Sequence, residues 1–80
     1  MVKHFIEDWF LENGSLKKED IKSNDNYIES GYIDSFGFLD LIQTCEDKFN
    51  IHFSDDDFEN DKIFTIDGLA EIIEAKNESV

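Results

Sequence analysis

Val2, Phe5, Ile6, Trp9 and Phe10 recur at i, i+3, i+4, i+7 and i+8. That spacing puts five apolar side chains on one face of an amphipathic helix. Glu7, Asp8 and Glu12 take the wet side, and Asn13-Gly14 supplies a stop, because glycine accepts the left-handed conformation. The pattern predicts a first helix over 2–13. A second periodic segment follows Asp34-Ser35, with Phe38, Leu41, Ile42, Cys45 and Phe49 as its buried stripe. It predicts a helix over 35–49. Gly37 near its first turn weakens it by about 1 kcal/mol relative to alanine. Ile51-His52-Phe53 alternates, which tucks the first and third side chains into the core. Ser54-x-x-Asp57 reads as a helix start with Asp replacing the usual Glu. It predicts a short third helix over 55–61, with Phe58 turned inward. Behind a Thr65 cap, Ile66, Leu69, Ala70 and Ile73 repeat the helical spacing, and Asp67 stands at the favourable positive end. This last helix is expected to fray after Lys76.

Residues 14–34 show no period and are rich in Ser, Asn, Asp, Lys and Gly. A loop this long is uncommon in a small domain and is often functional. Leu16, Ile21, Tyr27, Ile28 and Ile33 are read as anchors that pin it to the core. A floppy connector would leave all of them in water. The expected fold is therefore all-α: a small four-helix bundle of three main helices and one short one, with a long first loop. Residues 1–80 are expected to form a single domain.

Charge narrows the partners. The 80 residues carry a formal net charge of −13, from 20 acidic and 7 basic side chains, all of the latter lysines. A phosphate backbone needs clustered cations, so nucleic acid is excluded as a partner. An anionic membrane is disfavoured for the same reason. Val, Ile, Leu and Phe make up nearly a third of the chain, above the roughly 20% below which chains stay unfolded. The single cysteine permits no internal disulfide and fits a reducing compartment. No apolar run approaches about 18 residues, and the N-terminus lacks a signal-peptide pattern. A cytoplasmic monomer is expected.

Neither catalysis nor metal binding finds a motif. Ser35 with His4 or His52 lacks the G-x-S-x-G elbow, since Gly31, Ser35 and Gly37 are wrongly spaced. Cys45 lies on the buried stripe and reads as an inert core thiol. An EF-hand opening at Asp55 would need Gly at its sixth position and Glu at its twelfth, where Asn60 and Ile66 stand. Two separated histidines and one buried cysteine do not make a zinc site. No catalytic residue and no metal ligand is assigned.

Ser35 as an acceptor is the remaining chemistry. A serine at a helix start is commonly a plain cap. Yet a helix N-terminus also favours an attached phosphodiester, through its free amides and dipole. The second helix moreover has a second face, formed by Phe36, Leu39, Asp40, Gln43, Glu46 and Asp47, that begins beside this serine. A plain cap does not account for such a face.

The run Gly31-Tyr32-Ile33-Asp34-Ser35-Phe36 resembles the G-x-x-D-S-[L/M] signature of acyl carrier proteins. The order and spacing of helices across nearly the whole chain resemble that family as well. The resemblance implies that Ser35 carries 4′-phosphopantetheine, derived from coenzyme A, whose thiol holds cargo as a thioester. It implies that Asp34 assists the magnesium-dependent attachment. It also implies a partner-reading surface at Phe36, Leu39, Asp40, Gln43, Glu46 and Asp47. The partners would be a phosphopantetheinyl transferase and acyl- or aminoacyl-transferring enzymes with basic patches.

There are departures. Phe36 replaces the usual Leu or Met, Gly37 stands where fatty-acid carriers usually have an acid, Gln43 replaces an apolar recognition residue, and Lys48 interrupts the acidic run. Asp-Ser-x-Gly is also similar to D-alanyl carrier proteins. The expected function is a non-enzymatic carrier of acyl groups in fatty-acid, polyketide or related biosynthesis. The alternatives are an aminoacyl carrier, or an unmodified acidic protein-binding module in which Ser35 only caps. A calcium-responsive bundle is a third. Phe38, Phe49, Phe53 and Phe64 either line or block a space for cargo between the helices, and the sequence leaves that open.

Overall fold

The computed structural model describes residues 2–13 and 17–78. Its helices are α1 (Val2–Asn13), α2 (Ser35–Phe49), α3 (Asp55–Glu59) and α4 (Ile66–Glu78). Short 3-10 turns occupy Lys18–Asp20 and Asp61–Phe64. Both long helices expected in the first half have their predicted bounds. Gly14 and Leu16, expected as helix stop and loop anchor, lie outside the described residues. Where the chain leaves α1, the Asn13 side-chain amide donates to the Trp9 carbonyl at 3.0 Å.

One core joins these elements. Val2, Ile6, Trp9 and Phe10 of α1 meet Leu41, Ile42 and Cys45 of α2 and Ile66, Leu69, Ala70 and Ile73 of α4, all buried. Ile51, Phe53 and Ile63 enter from the connecting segments. Burying each aliphatic side chain contributes roughly 1.5–3 kcal/mol. Phe38 and Phe49, expected in the buried stripe, pack against this core only half-buried.

The first loop is tied down, as its apolar spacing predicts. Tyr27 is wholly buried, its amide donates to the Phe64 carbonyl at 2.9 Å, and its hydroxyl donates to the Ile63 carbonyl. Burial pushes the Tyr27 hydroxyl well above the usual tyrosine range. Ile21, Ile28 and Ile33 pack against the core from the same loop. Ser23 is tied to α4: the Asp67 amide donates to its carbonyl at 2.9 Å, and its own hydroxyl donates to the Asp67 carboxylate at 3.0 Å. Lys3 of α1 pairs with the same carboxylate at 2.9 Å. Gly31 adopts a left-handed φ of 79°, which lets the Tyr32 amide turn back to the Tyr27 carbonyl at 2.9 Å.

The second half brings two corrections. The short helix ends at Glu59, not residue 61. Asn60 is extended, and its side chain accepts from the Lys62 amide at 3.0 Å, so it opens the next 3-10 turn instead of continuing α3. Asparagine favours that local bond over a helix interior. The turn delivers Ile63 to the core. At the other end, α4 runs on through Glu78, past the fraying point expected after Lys76. Asp57 and Ser54 form the predicted reciprocal cap, at 2.8 and 3.4 Å. Thr65 caps α4 by accepting from the Gly68 amide at 2.9 Å.

Candidate functional site

Asp34, not Ser35, is the N-cap of α2. Its carboxylate accepts a hydrogen bond from the Gly37 amide at 2.8 Å, and its carbonyl accepts one from Phe38 at 2.9 Å. Ser35 is therefore the first helical residue, and the reading of it as a plain cap is overturned. Asp34 is extended, as a cap must be, and a carboxylate at a helix start also favours the dipole. The Ser35 side chain is exposed, and among the described residues nothing hydrogen-bonds to its hydroxyl. Nor does a described residue accept from the Ser35 or Phe36 amides. The α2 start thus presents a free nucleophilic oxygen beside unused N–H donors, where an anion is favoured. Its residues fit a phosphodiester at that oxygen without displacing any existing bond.

Gly37 contributes by lacking a side chain. A Cβ there would lie 3.2 Å from the Ile33 Cβ and 3.4 Å from the Asp34 carboxylate. Its absence lets the end of the loop close onto the first turn of α2.

The predicted second face of α2 is largely open. Phe36 is 82% exposed and Leu39 60%, and Asp40, Gln43 and Asp47 are exposed beside them. Two large apolar groups in water, rimmed by carboxylates, are an unusual arrangement for a small domain. Glu46 departs from the rest. It is half-buried, and its carboxylate accepts from the Phe53 amide at 3.0 Å and lies 3.4 Å from His52. It holds the segment after α2 as well as edging the face, and no local spacing in the sequence signals that bond. Lys48, which interrupts the acidic run, is exposed and reaches toward α1. Its ammonium sits over the Phe5 ring of α1, 5.7 Å from the centroid.

The remaining candidates lie elsewhere. His4 pairs with Asp8 on α1 at 3.4 Å, and His52 pairs with Glu46, so neither is brought to Ser35. Cys45 is fully buried, and burial pushes its thiol up to about 12. In the acidic 55–61 segment, Asp57 is committed to its capping box and to Lys76 at 2.7 Å. Among the described residues, no helix is long and apolar enough to cross a membrane.

The chain also resembles known proteins. A family model described as the phosphopantetheine attachment site matches residues 13–74. An acyl carrier protein of Wolinella succinogenes is 29% identical over 69 residues, covering 86% of this chain and 88% of that protein.

Proposed function

The chain belongs to the phosphopantetheine-attachment family, and from that premise we propose that it is a stand-alone carrier modified at Ser35. Domains of this family bear 4′-phosphopantetheine covalently and carry cargo rather than catalyse its chemistry. When bound, that group supplies a flexible arm ending in a thiol that holds an acyl group as a thioester. One observation carries the assignment to Ser35: its hydroxyl is exposed and unpartnered because Asp34 does the capping.

In the attachment step, the Ser35 oxygen displaces the adenosine bisphosphate half of coenzyme A at phosphorus. The hydroxyl proton leaves to the transferase. Asp34 holds the first turn of α2 in place, so that Ser35 stays exposed, and its carboxylate would help to hold the magnesium ion that such a transfer uses. The new phosphodiester would be anionic, and the positive end of α2 would favour it there.

The exposed face supports the partner reading. Phe36 and Leu39 offer a small apolar anchor, while Asp40 and Asp47 steer basic patches on a transferase or on acyl-transferring enzymes. Charge steering gives fast association without a large buried interface, which suits a carrier that must leave each enzyme after one visit. A net charge of −13 extends the same field over the whole domain. The reading includes a monomer in the cytoplasm, supported by a lone cysteine held inside the core.

Intact mass tests it. Incubation with coenzyme A, magnesium and a promiscuous phosphopantetheinyl transferase should add one phosphopantetheinyl group. Ser35→Ala should add none. An unchanged wild-type mass beside a modified control carrier would remove the proposal and favour an unmodified acidic binding module.

A further inference from the structure

Ser35, Phe38, Leu39 and Ile42 follow one another at i, i+3, i+4 and i+7, so the attachment serine heads a stripe on one side of α2. That side runs along the seam between α2 and the α3 region. One turn below Ser35 the seam is closed by rings. Phe38 of α2 meets Phe58 of α3 edge-on, with centroids 6.3 Å apart and planes at 81°. Phe58 meets Phe53 at 6.2 Å. Behind Phe38 lie Phe64 at 5.5 Å and Tyr27 at 6.1 Å. Five rings from separate parts of the chain thus converge one turn from Ser35 and close the seam between α2 and the α3 region.

Nothing behind the rings is loose. Leu41, Cys45, Ile63, Ile66 and Leu69 have no solvent exposure. A close-packed interior admits a new alkyl chain only by moving side chains or helices. Moving α3 outward would also break its tie to α4. Asp57 and Lys76 pair at 2.7 Å, and the Lys76 ammonium lies 5.8 Å from the centre of the Phe53 ring. Among the described residues, surface grooves border α1 instead, one of them lined by Asp34 and Gly37 on either side of Ser35, and no α3 residue lines these grooves.

We infer that the aromatic seam below Ser35 excludes cargo from the bundle, and that this carrier bears a small or polar acyl group displayed in solvent. The inference rests on Ser35 being the attachment site. A long alkyl chain left outside would expose apolar surface to water, which the hydrophobic effect opposes. A few-carbon or amino-substituted acyl group carries no such penalty, and a partner enzyme can grasp it without first extracting it from a core. Of the phenylalanines that the sequence left as either lining or blocking a space, Phe38, Phe53 and Phe64 are assigned to blocking it, with Phe58 as an added member, while Phe49 packs edge-on against Phe5 of α1.

Loading the full chain with acetyl, butyryl, octanoyl and hexadecanoyl arms, from the matching coenzyme A thioesters, tests this. Intact mass first verifies each attachment. Failure to load at Ser35 would count against the carrier assignment itself, separately from the seam. With loading verified, the melting temperature should be the same for all four arms, and Cys45 should alkylate as slowly as in the unloaded protein. A melting temperature that climbs with chain length would overturn the inference. Phe58→Ala provides the converse. Phe58 is already 38% exposed, so the variant should fold. With the seam opened, the octanoyl and hexadecanoyl forms should melt higher than the acetyl form. Continued indifference to chain length in this variant would show that the rings are not what keeps cargo out.

Discussion

The Asp34 carboxylate accepts the Gly37 amide at 2.8 Å, and this bond releases the adjoining Ser35 from capping α2. The two residues therefore separate under mutation. Ser35→Ala should change stability by less than about 0.5 kcal/mol, as surface substitutions usually do, while abolishing attachment. Asp34→Ala should cost about 1 kcal/mol through the lost cap, or roughly 4–8 °C in melting temperature for a domain this small. Asp34→Asn keeps a capping oxygen but loses the charge. It should melt near wild type and be modified more slowly. Thermal melts and a timed mass assay on the three variants check all of this.

Carboxylates on one helix should behave in two ways. Asp40→Lys and Asp47→Lys reverse exposed charges. They should lower partner association rates about tenfold or more at low salt, with little change in melting. Glu46→Ala should instead destabilise by about 1.5–3 kcal/mol, because it removes a charged acceptor from the Phe53 amide. Stopped-flow association beside urea unfolding separates the two. Equal stability loss at all three positions would contradict the assignment of Glu46 to the segment after α2.

Gly68 offers a test in which propensity and packing predict opposite signs. Alanine in the first turn of α4 should gain about 1 kcal/mol by helix propensity. In the folded chain, however, a Cβ at Gly68 would sit 2.0 Å from the Lys62 carbonyl oxygen. That clash is with backbone and has no flexible side chain to yield. Gly68→Ala should therefore destabilise by about 3 kcal/mol or more, seen as a fall in the urea midpoint.

Two carboxyls make stability depend on pH in the acid range. Burial alone would raise the Asp57 carboxyl, but its bonds to Lys76 and Ser54 outweigh it and hold it below the ordinary 3.8. The Lys3 bond holds Asp67 below the same value, against burial and with help from Ser23. A carboxyl depressed in the folded state binds fewer protons there than in the unfolded chain. Its stabilisation is present above the unfolded value and is lost as pH falls through the folded one. Asp57→Asn should therefore be less stable than wild type at neutral pH, and the gap should narrow as pH falls below 3.8. Urea midpoints at the two pH values measure it.

Local chemistry alone set much of this protein. The i, i+3, i+4 spacing from Val2 and from Phe38 yields helices with the observed bounds, because burial of one stripe dominates. Ser54-x-x-Asp57 specifies its own cap, and Phe36 and Leu39 lie outside the buried stripe by angle alone. These features depend on neighbours within one or two turns, which a sequence displays directly. Tertiary structure decided the rest. Asp34-Ser35 contains two competent capping side chains, and only the folded backbone shows which accepts the amide and which stays free. Asn60 could continue a helix or start a turn, and the need to deliver Ile63 to the core settles it. Glu46 reaches seven residues ahead to Phe53, and Gly68 lies against a carbonyl from the preceding turn. The phenylalanines either lined a space or filled it, and the convergence of Phe38, Phe58, Phe53 and Phe64 beneath Ser35 is a property of three-dimensional packing. Contacts between distant segments leave no period in the chain, so Asp34-Ser35 was legible in sequence as a candidate site while the packing of the rings beneath it was not.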